Sequence, residues 1–244
     1  MSGTAPLFRD DPYLRACEAR VVAVNERGGI LLDRTVFYAA GGGQPGDTGR
    51  LVPASGPAIP VGATIYDEAG AIVHVPAEAG LAPREGEALE AAVDWPRRHR
   101  HMRMHTALHL LCSLVPFPVT GGAIGAEESR LDFDIAEADA VDRDRLTEAL
   151  NRLVAADHPV ATRWISDEEL ADNPGLVRTM SVKPPMGTGR VRLVAIGAGG
   201  AIDLQPCGGT HVRSTAEIGS LAVAKIEKKG RQNRRIRIRL EEPA

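Results

Sequence analysis

Aromatic side chains make up only 4% of the 244 residues, so a hydrophobic core has to be built from Val, Leu, Ile and Ala. Cysteine is scarcer still. Cys17, Cys112 and Cys207 do not make a disulfide framework, which favours a reducing compartment. No stretch approaches the roughly 20 apolar residues of a membrane-spanning helix. The opening segment MSGTAPLFRDDPYLRAC lacks the apolar centre of a secretory signal. The expectation is therefore a cytosolic protein with no membrane partner. A formal net charge of −3 excludes a general attraction to polyanions, so any nucleic-acid contact must rest on local basic clusters. Internal repeats and low-complexity segments are missing too. The glycines at 41–43 are followed by no G-K-[ST], so they are not a nucleotide phosphate loop.

What remains is the composition of a soluble globular protein, 43% apolar and 25% charged, long enough for one large domain or two ordinary ones. Its most informative residues are three imidazoles and a thiol. In MHTALHLL (104–111), His105 and His109 stand four apart, and on a helix that spacing puts both on one face. In CGGTH (207–211), Gly208 and Gly209 argue for a tight loop that turns Cys207 and His211 inward. All four are zinc-ligand types. An H-x-x-x-H pair alone is common on amphipathic helices. Two ligand pairs in one chain predict a single Zn²⁺ site, and ligand softness favours zinc over iron or cobalt.

Short β-branched runs separated by turns fill the first 93 residues. EARVVAV and ILLDRT read as one hairpin over 18–33, and ATIY and AIVHV as a second over 61–75, the pattern of a small barrel. EALEAAV (87–93) fits a strand or a short helix. The character changes at Asp94-Trp95-Pro96. A helix is predicted from Pro96 to about Val115, where Pro116 and Pro118 stop it. VTGGAIG and SRLDFDI read as strands. Asp142 caps a second helix, and Ser166 with Glu169 forms a capping box for a short third one. HPVATRWI, RVRLVAIG, IDLQP, EIGSLAVAKIEKK and RRIRIRL supply further strands. The predicted fold is α+β: a small β-barrel-like domain over residues 1–93, then an α/β two-layer domain with antiparallel sheet over 94–244.

Four stretches together resemble the alanyl-tRNA editing family, the free-standing AlaX proteins and the editing domain of alanyl-tRNA synthetase, with a related domain in threonyl-tRNA synthetase. FYAAGGGQPGDTG (37–49) is similar to the glycine-rich motif of the longer AlaX proteins. MHTALHLL and CGGTHVRSTAEIGSLAVAKIEKKG (207–230) resemble the two metal motifs, and VTGGAIG followed by SRLDF resembles the strand pair between them. The length suits the medium form of the family, and the motifs of aminoacylation are missing. The resemblance implies that His105, His109, Cys207 and His211 hold the metal. It also implies a trans-editing hydrolase that cleaves the aminoacyl ester of tRNA for alanine mischarged with serine, and with glycine as a further substrate. The competing reading is a tRNA-binding module whose zinc only staples two segments.

An aminoacyl ester is already reactive, so catalysis mainly needs a placed water and a stabilised oxyanion. Zinc can lower the pKa of a bound water to about 7 and polarise a carbonyl. Four protein ligands close a tetrahedron, however, and closed sites are ordinarily structural. Either one ligand is displaced, or the coordination expands to anchor the substrate; substrate anchoring is the preferred reading. Sparing the alanyl ester needs a group that hydrogen-bonds the serine hydroxyl, worth roughly 10⁴ in discrimination. Candidates are Thr120, which occupies roughly the position of a pocket residue in AlaX proteins, with Thr106, Gln205 and, from the glycine motif, Gln44. Gln44 and Asp47 also fit a glycine turn stabilised by an Asp side chain. Asp203 is a candidate partner for a ligand histidine.

Contacts to tRNA are assigned to Arg97 and Arg98 at the start of the His helix and to Lys228, Lys229, Arg235 and Arg237 near the C-terminal end. In RRIRIRL the period of two puts Arg235, Arg237 and Arg239 on one face and Ile236, Ile238 and Leu240 in the core. A strip of this kind would position phosphates rather than read bases; the alternative is a solvated face paired with acids. His99 and His101 are expected to face solvent, and Cys17 and Cys112 to be packing residues. Monomer and dimer both remain open.

Overall fold

Alternating apolar residues, closed by turns every few residues, give the first half of the chain its architecture. The structure, a computed structural model, describes residues 3–54, 56–136, 141–178 and 189–241. Its contacts divide into two units, Met1–His99 and Arg100–Ala244. Among the described residues of the first unit the strands are β1 (Ala5–Pro6), β2 (Ala16–Val24), β3 (Ile30–Leu32), β4 (Arg34–Thr35), β5 (Gly49–Pro53), β6 (Ile59–Tyr66), β7 (Ile72–Pro76) and β8 (Ala88–Val93). Six of them close a barrel in the order β2-β3-β7-β6-β5-β8. Both expected hairpins form, β2 with β3 and β6 with β7. EALEAAV is a strand: β8 joins β2 to β5 and closes the ring. The interior is Val21, Ile30, Leu32, Phe37, Leu51, Val61 and Leu89, all buried. Each contributes roughly 1.5–3 kcal/mol by leaving water, which lets aliphatic residues stand in for the missing aromatics.

The glycine-rich stretch wraps one side of this barrel. Gly42 and Gly43 take positive φ (56° and 81°), and Gly41 and Gln44 bond to each other through both backbone groups (2.9 and 3.1 Å). Gly46 lies so close to β6 that a Cβ would sit 1.9 Å from the Thr64 carbonyl oxygen. Asp47 then turns inward, and its Oδ2 accepts from the Tyr38 backbone N–H at 2.6 Å.

Helix α1 (Trp95–Leu114) carries the chain from the first unit into the second. From His101 to Cys112 nearly every residue is buried, which explains why the helix has no clean polar face. There follow β9 (Val119–Ala123), β10 (Glu128–Asp134), α2 (Arg143–Ala155), β11 (Val160–Ser166), α3 (Asp167–Asp172), β12 (Arg190–Ile196), β13 (Asp203–Pro206), β14 (Leu221–Lys228) and β15 (Asn233–Leu240). They form two antiparallel sheets rather than one: β14-β15-β10-β9 and β11-β12-β13. Asp142 caps α2 by accepting from the Arg145 N–H, and Ser166 and Glu169 make the expected capping box. Helix α2 is tied to β14 by side chains. Asn151 bonds both backbone groups of Leu221, and Thr147 Oγ1 accepts from the Val223 N–H. The fold is α+β.

Candidate metal centre

The second unit brings the two ligand motifs together. One ligand atom from each of His105, His109, Cys207 and His211 lies within 4.8 Å of the others, a group that could hold a metal ion. Cys207 Sγ is 3.5 Å from His105 Nε2 and 3.3 Å from His211 Nε2. A tetrahedron with bonds of 2.0–2.3 Å has edges of roughly 3.3–3.8 Å, so this spacing suits a shared ion. The histidines are buried and Cys207 is half-buried. Beside Cys207, Gly208 is exposed, and a Cβ there would meet nothing within 4 Å among the described residues.

Hydrogen bonds behind the cluster set which ring nitrogens face it. Thr106 Oγ1 donates to the Met102 carbonyl at 2.9 Å, one helical turn back. With its proton spent there, the same oxygen accepts from His211 Nδ1 (3.2 Å) and from the Val212 N–H (3.3 Å). His211 therefore carries its proton on Nδ1 and turns a bare Nε2 to the cluster. His109 Nδ1 donates to Asp203 Oδ2 at 2.7 Å, which leaves its Nε2 for the metal in the same way. Gln205 Nε2 donates to that same carboxylate oxygen at 2.9 Å and holds it in place.

These partners also set the charges. Burial alone would raise the Cys207 thiol, but the adjacent His105 and His211 hold it well below its ordinary value, as a thiolate. Burial, with the nearby charge of His105, keeps His211 well below the imidazole range and hence neutral. Burial opposes protonation of His109, yet the bonds to Asp203 and Cys207 raise it to about 10. Metal binds a thiolate and neutral imidazoles, so an ion entering the cluster would have to displace the proton that His109 holds toward Cys207.

The loop is held differently from the expectation. Neither Gly208 nor Gly209 has a positive φ. Instead Arg192 Nη1 donates to the carbonyls of Cys207 (2.8 Å) and Gly209 (3.0 Å), and the Gly209 N–H points at Cys207 Sγ (3.4 Å). Sequence reasoning passed over Arg192, although a lone arginine inside the apolar run VRLVAI was a signal: a buried guanidinium has to be satisfied by specific acceptors.

Arg98 and His101 need correction, and the other predicted residues are placed as follows. Thr106, read as a substrate-pocket residue, is fully buried with its hydroxyl spent behind His211, and Gln205, read likewise, turns its amide nitrogen to Asp203. Arg98, read as a tRNA contact, is fully buried and ion-paired with Asp47, so it reaches no phosphate. Arg235 and Arg237 lie on the expected face but are paired: Arg235 with Asp132 (2.7 Å), and Arg237 with Glu227 and Glu128 (2.6 Å each). His101 is buried, because it stands one turn before His105 on the same helical face. His99 stacks on Trp95. Cys112 is buried, and Cys17 is half-buried against the barrel core.

Thr120, on β9, accepts from Asn233 Nδ2 at 3.1 Å. Gln44 is buried within the glycine turn. Arg97 donates to the Gly46 carbonyl, while Lys228 and Lys229 are exposed.

Comparison with known proteins matches these parts. Residues 191–237, which include Arg192, Cys207 and His211, match the threonyl and alanyl tRNA synthetase second additional domain. Residues 15–97, which contain all six barrel strands, match tRNA synthetases class II (A). The chain is 35% identical to the alanyl-tRNA editing protein AlaX-M of Methanosarcina acetivorans, over 96% of this chain and 97% of that protein. It belongs to the alanyl-tRNA editing family. A second AlaX-M protein, from Saccharolobus solfataricus, is 32% identical over 96% of this chain and 97% of its own length. An alanine–tRNA ligase from Pyrobaculum aerophilum is 36% identical over 92% of this chain, but only 25% of the ligase is covered. This AlaX-family chain thus corresponds to one part of a much larger enzyme.

The orienting role of Asp203 is testable without any assay of turnover. Asp203→Asn weakens the grip on His109 Nδ1 while keeping size and shape. The folded variant is expected to lose about 10–100-fold in metal affinity, measured by chelator competition. Unchanged affinity would mean that Asp203 does not orient the ligand.

Proposed function

We propose that this protein is a trans-editing deacylase, which hydrolyses the ester of tRNA for alanine wrongly charged with serine, and also with glycine, in the cytosol. The observation that carries the reading is the convergence of His105, His109, Cys207 and His211 on one point, in a chain that matches AlaX-M proteins end to end. A thiolate with three imidazoles suits Zn²⁺ among the common divalent ions, and one bound ion would supply Lewis-acid chemistry toward ester or hydroxyl oxygens.

The chain's own residues shape how a substrate meets this centre. The histidines are buried, so the aminoacyl end approaches over Cys207 and Gly208, where there is room. Arg192 fixes the backbone there, and Thr106 and Asp203 fix the imidazoles behind it. The protein therefore pre-sets the geometry before substrate arrives, which is what a reaction limited by placement requires. Thr120 remains the candidate for recognising the serine hydroxyl, with the Asn233 amide donating to its oxygen and fixing the side chain on β9.

The test is a deacylation assay on seryl-, glycyl- and alanyl-tRNA, with and without a chelator. The seryl ester is expected to be cleared, the glycyl ester to follow it and the alanyl ester to be spared, and chelation is expected to stop the reaction. Chelator-resistant cleavage would favour the second reading, a metal that only staples the two motifs. The full set of four protein ligands is the observation that speaks for that reading.

A further inference from the structure

The β14–β15 hairpin turns through Lys228-Lys229-Gly230-Arg231-Gln232, and Lys228 to Gln232 are all exposed. No acid occurs in these five residues. The strand arginines that follow are a different population. Both nitrogens of the Arg235 fork grip Asp132 (2.7 and 2.9 Å), Arg237 bridges Glu227 and Glu128, and Arg239 reaches Glu241 at 3.5 Å. Lys229 lies 3.5 Å from Glu227, but that carboxylate already serves Arg237 and Lys225. Among the described residues no carboxylate lies within ion-pair range of Lys228 or Arg231. Each of these strand arginines therefore has an acid partner, while the tip carries three cations against one shared acid. In a chain of net charge −3, that surplus is a local feature.

The tip is also held in place. The Lys229 N–H donates to the Asn233 carbonyl at 3.0 Å, and the Ile135 N–H donates to the Gln232 carbonyl at 2.8 Å. Asn233, the first residue of β15, is the one bonded to Thr120 on β9. A cationic turn with a single shared acid suits a polyanion, because binding there displaces counterions and breaks no ion pair of Lys228 or Arg231. Recruiting Arg235 or Arg237 would instead break short ion pairs, the fork on Asp132 or the bridge between Glu227 and Glu128.

We infer that Lys228, Lys229 and Arg231 form a phosphate-binding clamp for the tRNA substrate, and that the strand arginines do not contact RNA. This rests on tRNA being the substrate. Such contacts position the acceptor without reading sequence, and they act on binding rather than on chemistry.

The test is the full-length Lys228→Ala/Lys229→Ala/Arg231→Ala variant in seryl-tRNA deacylation across a salt series, beside Arg239→Ala. The triple variant is expected to raise KM about tenfold at 0.1 M salt with kcat within about twofold. The slope of log(kcat/KM) against log(salt) should shrink by about 2–3. Arg239→Ala should leave both quantities within about twofold. An unchanged KM and slope in the triple variant would overturn the clamp. So would an equal loss of slope in a folded Arg235→Ala/Arg237→Ala variant. If the wild type cleaves no aminoacyl-tRNA, the editing reading fails separately. Equilibrium binding of uncharged tRNA then decides the clamp by the same change in slope: a smaller slope supports it, and an unchanged one or no binding rejects it.

Discussion

Cys207→Ala is expected to lower the rate of seryl-tRNA deacylation by roughly 10³-fold or more, the equivalent of several kcal/mol of lost transition-state stabilisation. Three facts make this position decisive. The thiolate is the only soft ligand in the cluster, so its loss reduces metal affinity more than a single contact would suggest. It is the half-buried member of the four and therefore the ligand most open to solvent. Finally, its negative charge lies against three imidazoles, and without it His109 keeps Asp203 as its one charged partner. The measurement needs three readouts on the same preparation: deacylation rate, bound metal and thermal unfolding. A variant that folds, has lost its metal and has lost its activity supports a working metal. A folded, metal-free variant at full rate would end the proposal. A variant that unfolds outright would point to the stapling role, and Cys207→Ser, which keeps a weaker oxygen ligand, would then separate the two by restoring fold without rate.

What could be read from residues alone follows the range of each signal. The ligand pairs lie four apart in sequence, and local spacing is enough to suggest that His105 and His109 share a helical face and that Cys207 and His211 share a loop. The barrel hairpins are legible for the same reason, since each turn and its flanking strands lie within about 16 residues. Side-chain roles were not legible wherever the partner is remote. Thr106 follows a ligand directly in sequence, which is what makes it a pocket candidate. Its true partner, His211, is 105 positions along the chain. Arg235 and Arg237 showed the right period, and the structure puts them on the expected face. Yet period says nothing about which acids stand opposite, and Asp132 and Glu128 come from β10, more than 100 residues earlier. Lys228 and Arg231 carry the same charge type as their neighbours in sequence. They differ because Asp132 and Glu128 of β10 are taken by Arg235 and Arg237, and among the described residues no carboxylate lies within ion-pair range of Lys228 or Arg231.

Arg98→Met is expected to destabilise the barrel unit by about 3–5 kcal/mol, as removal of one partner of a buried ion pair does. The arginine is fully enclosed and Asp47 is almost so. Its Nε lies 2.8 and 2.9 Å from the two Asp47 oxygens, Nη1 donates to the Pro12 carbonyl at 2.9 Å, and Nη2 donates to the Val36 carbonyl at 2.6 Å. One side chain at the start of α1 therefore ties together the chain before β2, the segment after β4 and the glycine-rich turn. Methionine fills much of the volume but strands a buried carboxylate and two carbonyls. Replacing Asp47 as well would not repair the damage, because the Tyr38 N–H depends on the same carboxylate. A loss of this size is a large share of a typical domain's 5–15 kcal/mol. It should appear as a lower urea midpoint of the barrel transition in the full-length protein. Arg97→Ala removes a single bond to the Gly46 carbonyl and should cost no more than about 1 kcal/mol. The pair separates the two readings of this segment. If both arginines gripped phosphate, both substitutions would weaken tRNA binding and leave the midpoint alone. A buried structural tie at Arg98 predicts the reverse, a large stability loss at one position and almost none at its neighbour.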